Sequence, residues 1–217
     1  MNHAAHTALV LFARGPQVGR VKTRLAAALG GAEAARLYAV LLGRSLALHA
    51  QWPGPRLLAC ADEPGLAYFR ALPQAQGCVL TLQAGADLGA RMADALQRAL
   101  THAPRALLMG SDLLDVALQD LEAAAGWLAA DADIVLGPVA DGGYWLLGVK
   151  RHHPLLLTSM SWSTPTVMDD TRRRCRSLGL AWRELPLRHD LDEPADLVGF
   201  EARLADAAPL PLMTDAP

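Results

Sequence analysis

The sequence predicts an α/β protein with a mostly parallel sheet and helices on both faces, a Rossmann-like three-layer sandwich. The first observation behind this prediction is that short apolar segments alternate along the chain with longer segments rich in Ala and Leu. The second is size, because 217 residues with 52% hydrophobic content can bury a large core. We therefore expect a single domain over residues 1–207, followed by a Pro-rich tail over 208–217.

The apolar segments have the length of buried strands. Predicted strands cover residues 8–13, 56–61, 78–83, 105–110, 132–137, 144–149 and 181–187. Predicted helices cover residues 31–51, 86–103, 118–130, 163–179 and 194–206. The helix at 163–179 carries a start signal, Thr164 as N-cap and Pro165 at the first helical position, and Gly179 as its stop. The C-terminal segment PLPLMTDAP is expected to be disordered.

Charge, cysteine content and hydropathy limit the partners and the cellular compartment that we expect. The chain carries 20 Lys plus Arg against 22 Asp plus Glu, so no general positive field would attract nucleic acid or an anionic membrane. The 3 cysteines form no CxxC pair and favour a reducing compartment over a disulfide framework. The N-terminal apolar run is too short for a secretory signal, and no apolar segment is long enough to span a membrane. We therefore expect a cytoplasmic protein.

A cluster of cations follows the first predicted strand, in the loop ARGPQVGRVKTRLA at residues 13–26. Its charged members are Arg14, Arg20, Lys22 and Arg24. Such cations repel one another unless an anion lies among them, and Gly15 and Gly19 would let backbone N–H groups approach phosphate oxygens. The loop therefore predicts a site for a di- or triphosphate, with a solvated basic loop as the alternative. It is not a P-loop, because the GxxxxGK[ST] spacing is absent.

Acidic residues follow two later strands, at the sheet edge where parallel α/β proteins bind ligands. Asp112 follows the strand at 105–110 and would face the phosphates, which a carboxylate tolerates when a divalent cation bridges them. Asp190 and Asp192 follow the strand at 181–187 and would point the same way in an extended segment. The structural alternatives are a helix cap for Asp112 and a helix-start acid cluster for the other two.

The segment GPVADGGYWLLG, residues 137–148, joins two predicted strands through an acid followed by two glycines. Gly142 and Gly143 would let a substrate approach the backbone, and Asp141 would then reach an acceptor hydroxyl or a metal-bound phosphate. Tyr144 and Trp145 would alternate across the strand, one toward the core and one toward the pocket. The alternative is a tight strand connection in which Asp141 is a turn residue.

Six motifs occur in a characteristic order over about residues 8–200: VLFARGPQVGRVKTRLA, QAGADLGARMADAL, GSD, VLGPVADGGYWLLGV, WST and HDLDEPADL. In this combination the chain resembles the bacterial radical-SAM/selenodomain-associated transferases, which have the GT-A nucleotide-diphospho-sugar transferase fold. The resemblance implies a nucleotide held by Arg14, Lys22 and Arg24, with Asp112 at the metal position. It also implies an acceptor pocket lined by Asp141, Gly142, Gly143, Tyr144, Trp162, Asp190 and Asp192. The chain departs from the family at Leu113-Leu114, where Cys-Pro is usual, and this departure puts the presentation of Asp112 in question.

The sequence thus favours a metal-dependent GT-A-type glycosyltransferase that uses a nucleotide-sugar and an unknown small acceptor. Asp141 and Asp190 would be catalytic, and Asp112 and Asp192 would hold Mg²⁺ or Mn²⁺, which stabilises the departing diphosphate. A nucleotidyltransferase that releases pyrophosphate is a second hypothesis, because guanylyltransferases of this fold share the basic first loop. An inactive nucleotide-binding module is a third.

Overall fold

The fold is known from a computed structural model that describes residues 2–113, 115–192, 194–197 and 209–213. Its strands are β1 (Ala8–Ala13), β2 (Arg56–Cys60), β3 (Val79–Leu82), β4 (Ala106–Met109), β5 (Ile134–Pro138), β6 (Tyr144–Val149) and β7 (Trp182–Glu184). They form one 7-stranded sheet in the order β3-β2-β1-β4-β6-β5-β7. β6 pairs antiparallel with β4 and with β5, whereas the other neighbouring pairs are parallel. The predicted mostly parallel sheet is confirmed.

The helices in the described ranges are α1 (Thr23–Leu29), α2 (Gly31–Ala50), α3 (Glu63–Ala71), α4 (Leu88–Ala99), α5 (Leu118–Ala130), α6 (Pro154–Leu157) and α7 (Val167–Ser177). Short 3₁₀ turns cover Ala4–His6, Pro73–Ala75 and Pro194–Leu197. None of these helices is both long and apolar enough to cross a membrane.

The core lies on both faces of the sheet, as a three-layer sandwich requires. Along β1, Leu9 and Leu11 pack in one core cluster with side chains of α2, α3 and α5, whereas Ala8 and Val10 pack in another with α4, α6 and α7. This alternation follows from the two-residue period of a strand. Every residue of β1 except Phe12 is buried, which explains why the strand reads as a continuous apolar run.

Helix α7 ends where the sequence predicts and begins later than predicted. Gly179 has φ +64, and the backbone N–H groups of Gly179 and Leu180 bond to the carbonyls of Arg176 and Cys175. Thr164 is not the N-cap, because its hydroxyl donates to the carbonyl of Ser161 and the helix begins only at Val167.

The missed helix α3 had a recognisable start signal. Asp62 is its N-cap and accepts a hydrogen bond of 2.8 Å from the Gly65 N–H, with Pro64 in the first turn. Helix α1 (7 residues) was also missed as a separate element, because its first part, residues 23–26, lies inside the segment interpreted as a basic loop.

Residues 209–213 pack against the domain, so the expectation of disorder is wrong for them. Leu210 is buried, and the backbone N–H of Met213 donates to the carbonyl of Pro16 at 3.1 Å. The Tyr68 hydroxyl donates to the Pro211 carbonyl at 2.8 Å. The helix predicted at 194–206 lies outside the described residues except for 194–197, which form a 3₁₀ turn.

Candidate active site

Two adjoining pockets open at the sheet edge where β1 and β4 end. The first pocket, about 460 Å³ in volume, is bounded by the loop after β1 and the start of the loop after β4. The second pocket, about 570 Å³, extends toward the connection between β5 and β6 and the start of α7. Residues shared by both linings are Phe12, Arg24, Leu88, Asp112 and Asp192. The site therefore has two compartments with a common boundary.

Lys22 lies at that boundary with its ammonium between two carboxylates. The Lys22 Nζ is 2.6 Å from Oδ1 of Asp192 and 3.3 Å from Oδ2 of Asp112, and only 3% of the side chain is exposed. Its backbone is left-handed, with φ 45, where the chain turns into α1. Burial alone would lower the pKa of Lys22, but attraction and hydrogen bonding to Asp112 and Asp192 outweigh it, so the pKa is raised. A permanent positive charge therefore lies where the two pockets meet.

The backbone of the basic loop is held by a residue that the sequence did not suggest. The buried Tyr38 hydroxyl accepts from the Arg14 N–H at 3.2 Å and lies 3.1 Å from the Arg14 carbonyl oxygen. It also lies 2.9 Å from Oγ of Ser111, whose hydroxyl is 3.4 Å from Oδ1 of Asp112. Burial raises the pKa of Tyr38, so its hydroxyl keeps its proton. Tyr38 thus links the loop after β1 to the loop after β4.

The predicted phosphate-binding residues of the loop are only partly brought together. Arg14, Lys22 and Arg24 line the first pocket, and the Arg14 guanidinium donates to the Arg20 carbonyl at 3.3 Å. Gly15 and Gly19 do not line it. A Cβ at Gly15 would collide with the sulfur of Met213, so this glycine accommodates residues 209–213 of the chain.

Asp112 is not a helix cap, so that alternative is wrong. Helix α5 begins at Leu118, and Asp120 accepts a hydrogen bond of 3.0 Å from the Ala117 N–H at its start. Leu113, the first residue at which the chain departs from the Cys-Pro of the resembled family, is buried in the core cluster beside α5. Leu114 lies outside the described residues. Asp112 itself remains on the boundary between the pockets.

The segment after β7 places Asp192 in the lining of both pockets, whereas Asp190 lines neither of them. Leu191 between them is buried with side chains of α1 and α2, which leaves the flanking acids on the other side. A backbone bridge between Val139 and Arg188 holds this segment beside the connection between β5 and β6. Burial, followed by repulsion from Asp141 and Asp192, raises the pKa of Asp190 to about 6.

The connection between β5 and β6 combines a turn with a contact to α7. Oδ1 of Asp141 accepts a hydrogen bond of 2.8 Å from the Gly143 N–H, as expected for a turn residue. The alternative in which Asp141 is a turn residue therefore accounts for one of its two carboxylate oxygens. Gly142 has φ +90, and a Cβ there would collide with the carbonyl of Pro165. Its own carbonyl accepts the Met168 N–H at 2.8 Å, which satisfies a backbone donor in the first turn of α7. Gly142 is therefore required by the approach of α7, whereas Gly143 lines the second pocket.

Aromatic side chains form a wall of the second pocket. Tyr144 and Trp162 meet edge to face, with ring centroids 6.4 Å apart and planes at 82°. Tyr144 and Trp145 pack in the clusters on opposite faces of the sheet, as strand alternation predicts, yet both contribute to this lining. A Cβ at Gly89 would lie 2.7 Å from the Trp162 ring. The absence of a side chain at this position of α4 therefore leaves room for the indole.

The architecture is that of the nucleotide-diphospho-sugar transferases. The chain belongs to a bacterial family described as "uncharacterized protein conserved in bacteria" (DUF2064), whose sequence pattern matches residues 44–164. It is similar to the crystal structure of a proposed nucleotide-diphospho-sugar transferase from Desulfovibrio desulfuricans G20. That similarity has a TM-score of 0.83 at 29% identity and covers 89% of this chain and 85% of the other. No curated protein sequence matches the chain.

Two more distant structures share the fold. One is CMP:2-keto-3-deoxy-manno-octonic acid synthetase complexed with CTP, with a TM-score of 0.56 at 13% identity, covering 92% of this chain and 98% of that one. The other is glucosyl-3-phosphoglycerate synthase from Mycobacterium tuberculosis with Mn²⁺, UDP-glucose and glycerol 3-phosphate. Its TM-score is 0.53 at 14% identity, covering 93% of this chain and 79% of that one. The narrower resemblance to radical-SAM/selenodomain-associated transferases stays a prediction.

Proposed function

We propose that this chain is a metal-dependent GT-A-type transferase that moves a sugar from a nucleotide-sugar to a small acceptor. The observation that carries the proposal is the position of Lys22, a buried ammonium between Asp112 and Asp192 at the boundary of two pockets. A basic compartment suits the nucleotide's diphosphate, and the adjoining compartment suits sugar and acceptor. The similarity at 29% identity to a proposed nucleotide-diphospho-sugar transferase supports the same class.

In this proposal the cations of the first pocket bind the diphosphate. Arg14 and Arg24 are exposed at the pocket and offer planar forks for phosphate oxygens, whereas Lys22 supplies a point charge. The bond between Tyr38 and the Arg14 backbone fixes the loop in advance, which reduces the entropy lost on binding. Negative charge develops on the diphosphate as the bond to the sugar breaks, and these cations stabilise it.

The carboxylates of Asp112 and Asp192 fit a divalent cation shared with phosphate. Both already contact one positive group, and their side chains remain 47% and 37% exposed, so they are accessible to an ion. No group of three or more His, Cys, Asp or Glu suited to a metal occurs among the described residues. With these two carboxylates as its protein ligands, Mg²⁺ or Mn²⁺ would take its remaining ligands from phosphate oxygens and water. Such an ion would neutralise charge on the leaving diphosphate.

The acids near the second pocket are the candidates for proton transfer. Asp141 lines it beside Gly143, Tyr144 and Trp162, and it can accept the proton of an acceptor hydroxyl as the new bond forms. Asp190 lines neither pocket, but it lies near enough to Asp141 and Asp192 for their repulsion, with burial, to raise its pKa to about 6, and it is the second candidate base. Replacement of Asp141 by Asn keeps an acceptor for the Gly143 N–H and removes the charge, so we expect strongly reduced turnover with the turn intact.

The test combines binding with product analysis. Nucleotide-sugars and nucleoside triphosphates are screened by thermal shift with and without Mg²⁺ or Mn²⁺, since a ligand at 100 times its Kd adds about 2.7 kcal/mol of stability. The ligand that binds is then incubated with the enzyme, and the released product is identified. Nucleoside diphosphate supports glycosyl transfer, whereas pyrophosphate from a triphosphate would establish nucleotidyl transfer instead. Binding without either product would leave the nucleotide-binding module as the function.

A further inference from the structure

The two pockets that meet at Lys22 differ in charge. Cations dominate the described lining of the first pocket, and its acids lie only at the shared boundary. The cations are Arg14, Arg20, Lys22, Arg24 and Arg91. In the described lining of the second pocket the only cation is Arg24, and the acids are Asp112, Asp141 and Asp192. Asp112 and Asp192 share the single charge of Lys22. Without a bound metal ion the second pocket is therefore acidic where the first is basic, and Asp141 is the acid that a metal ion on Asp112 and Asp192 would leave uncompensated.

Asp141 is the acid of the second pocket that would act on the charge of a bound acceptor. It lines only the second pocket, and its Oδ1 is held by the Gly143 N–H. Within the described part of the chain its other oxygen makes no hydrogen bond. An anion placed beside it would meet repulsion at short range, whereas a hydroxyl would donate to it.

Much of the remaining wall of the second pocket is apolar, although Ser163 and Thr164 also line it. Met92, Leu108, Trp145 and Val167 are each at most 5% exposed. The edge-to-face pair of Tyr144 and Trp162 adds two ring surfaces. Apolar surface buried against such a wall stabilises a complex roughly in proportion to its area. The wall therefore favours a ligand with an apolar, ring-sized body.

We propose that the second pocket binds an uncharged alcohol with an apolar body as the acceptor and excludes phosphorylated acceptors. This inference rests on the proposed sugar transfer. The acceptor oxygen forms its bond to the anomeric carbon while its proton passes to the Asp141 carboxylate. The bond from that carbon to the diphosphate oxygen breaks, and the nucleoside diphosphate leaves with the electron pair. The same acidity disfavours nucleotidyl transfer to a phosphate acceptor.

The experiment measures binding of defined probes to the full chain, with no donor and no turnover. Saturation-transfer NMR compares naphthylethanol with naphthylacetate, which share the ring and differ in charge, and with glycerol 3-phosphate. We expect naphthylethanol to bind at least about tenfold more tightly than either anion. Trp162→Ala should weaken naphthylethanol binding by about tenfold. Trp182→Ala is the matched control, because that half-buried tryptophan does not line the second pocket.

The charge argument is tested by Asp141→Asn. In this variant naphthylacetate should gain affinity relative to naphthylethanol, because the repelling carboxylate is gone. Equal or tighter binding of the anions to the unmodified protein would overturn the inference, and so would naphthylethanol binding that Trp162→Ala leaves unchanged. Nucleotide binding to the first pocket is measured separately. If no nucleotide binds the first pocket while naphthylethanol still binds the second, the result counts against the proposed function alone. Sugar transfer to a phosphorylated acceptor would overturn only this inference.

Discussion

The ammonium of Lys22 donates a hydrogen bond of 2.6 Å to Asp192, which lies 170 residues further along the chain. This contact connects the loop after β1 to the segment after β7 and places a buried positive charge at the centre of the site. Lys22 also contacts Asp112, so three loops that are distant in sequence share one electrostatic cluster. An incoming diphosphate therefore competes with two carboxylates for the same ammonium.

The first prediction concerns that ammonium. Lys22→Ala and Arg14→Ala should each weaken metal-free nucleotide binding by about 1.5–3 kcal/mol, the range for hydrogen bonds to charged groups. Isothermal titration calorimetry in EDTA measures the change. Lys22→Arg should restore binding only in part, because a planar guanidinium does not fit the position of a buried point charge. Unchanged affinity in both alanine variants would mean that neither cation binds the nucleotide.

Much of the fold could be predicted because it follows from local pattern. Every predicted strand and the helices corresponding to α2, α4 and α5 are present within a few residues, since apolar period and length define them. The start of α7 was mispredicted because its backbone donor is satisfied by Gly142, from a loop about 25 residues earlier in the chain. No local signal at Thr164 reports such a contact.

For the candidate site, the sequence predicted which residues lie in the relevant loops but not the contacts that they make with one another. Loop position after strands predicted Lys22, Asp112, Asp141 and Asp192 as candidates, and all four line the pockets, because parallel strands bring their carboxyl ends to one edge. The sequence could not show that Lys22 lies between two of these acids, or that Gly15 packs against Met213. Tyr38 looked like an ordinary residue of a helix, since its partners Arg14 and Ser111 come from two distant loops.

The second prediction concerns residues 209–213. Leu210→Ala should lower the free energy of unfolding by about 2–3 kcal/mol, because a 7% exposed leucine leaves a cavity beside Gly43. Urea denaturation measures the loss. Leu155→Ala is the control, because that leucine is 64% exposed and should change stability by less than about 0.5 kcal/mol. Equal stability of the Leu210 variant and the unmodified protein would show that this packing is not maintained in solution.

A third prediction follows from a buried histidine. His49 is fully buried with Nε2 3.2 Å from the Leu9 carbonyl oxygen, and burial lowers its pKa to about 4. Between a pH of about 6.5, the ordinary pKa of histidine in the unfolded chain, and a pH of about 4, His49 is protonated in the unfolded chain and neutral in the folded protein. Stability is therefore lost as the pH falls through that window, by up to about 3 kcal/mol.

The measurement is urea denaturation at several pH values between 7 and 4. His49→Gln removes the titrating group, so its stability relative to the unmodified protein should improve steadily as the pH falls. The matched control is His102→Gln, at an exposed position. Parallel stability curves for His49→Gln and the unmodified protein would show that His49 does not contribute to acid sensitivity.

The last prediction tests the metal. If Asp112 and Asp192 share a divalent cation with the diphosphate, Asp112→Asn should abolish most of the turnover, because the leaving group loses its strongest neutralising charge. Metal-free nucleotide binding should survive or strengthen, since one repelling carboxylate is gone from beside the phosphates. EDTA should abolish turnover of the unmodified enzyme, and Mg²⁺ or Mn²⁺ should restore it.

The control for this variant is Asp131→Asn, which removes one exposed charge on the Arg183 ion pair outside both pockets. Because Asp120 serves at the start of α5, Asp112→Asn should not cost the roughly 1 kcal/mol expected from a lost helix cap. Retained stability with lost turnover therefore separates the functional role of Asp112 from a structural one. Turnover that persists both in EDTA and in Asp112→Asn would show that the cations of the basic loop act without a metal and that this carboxylate only balances Lys22.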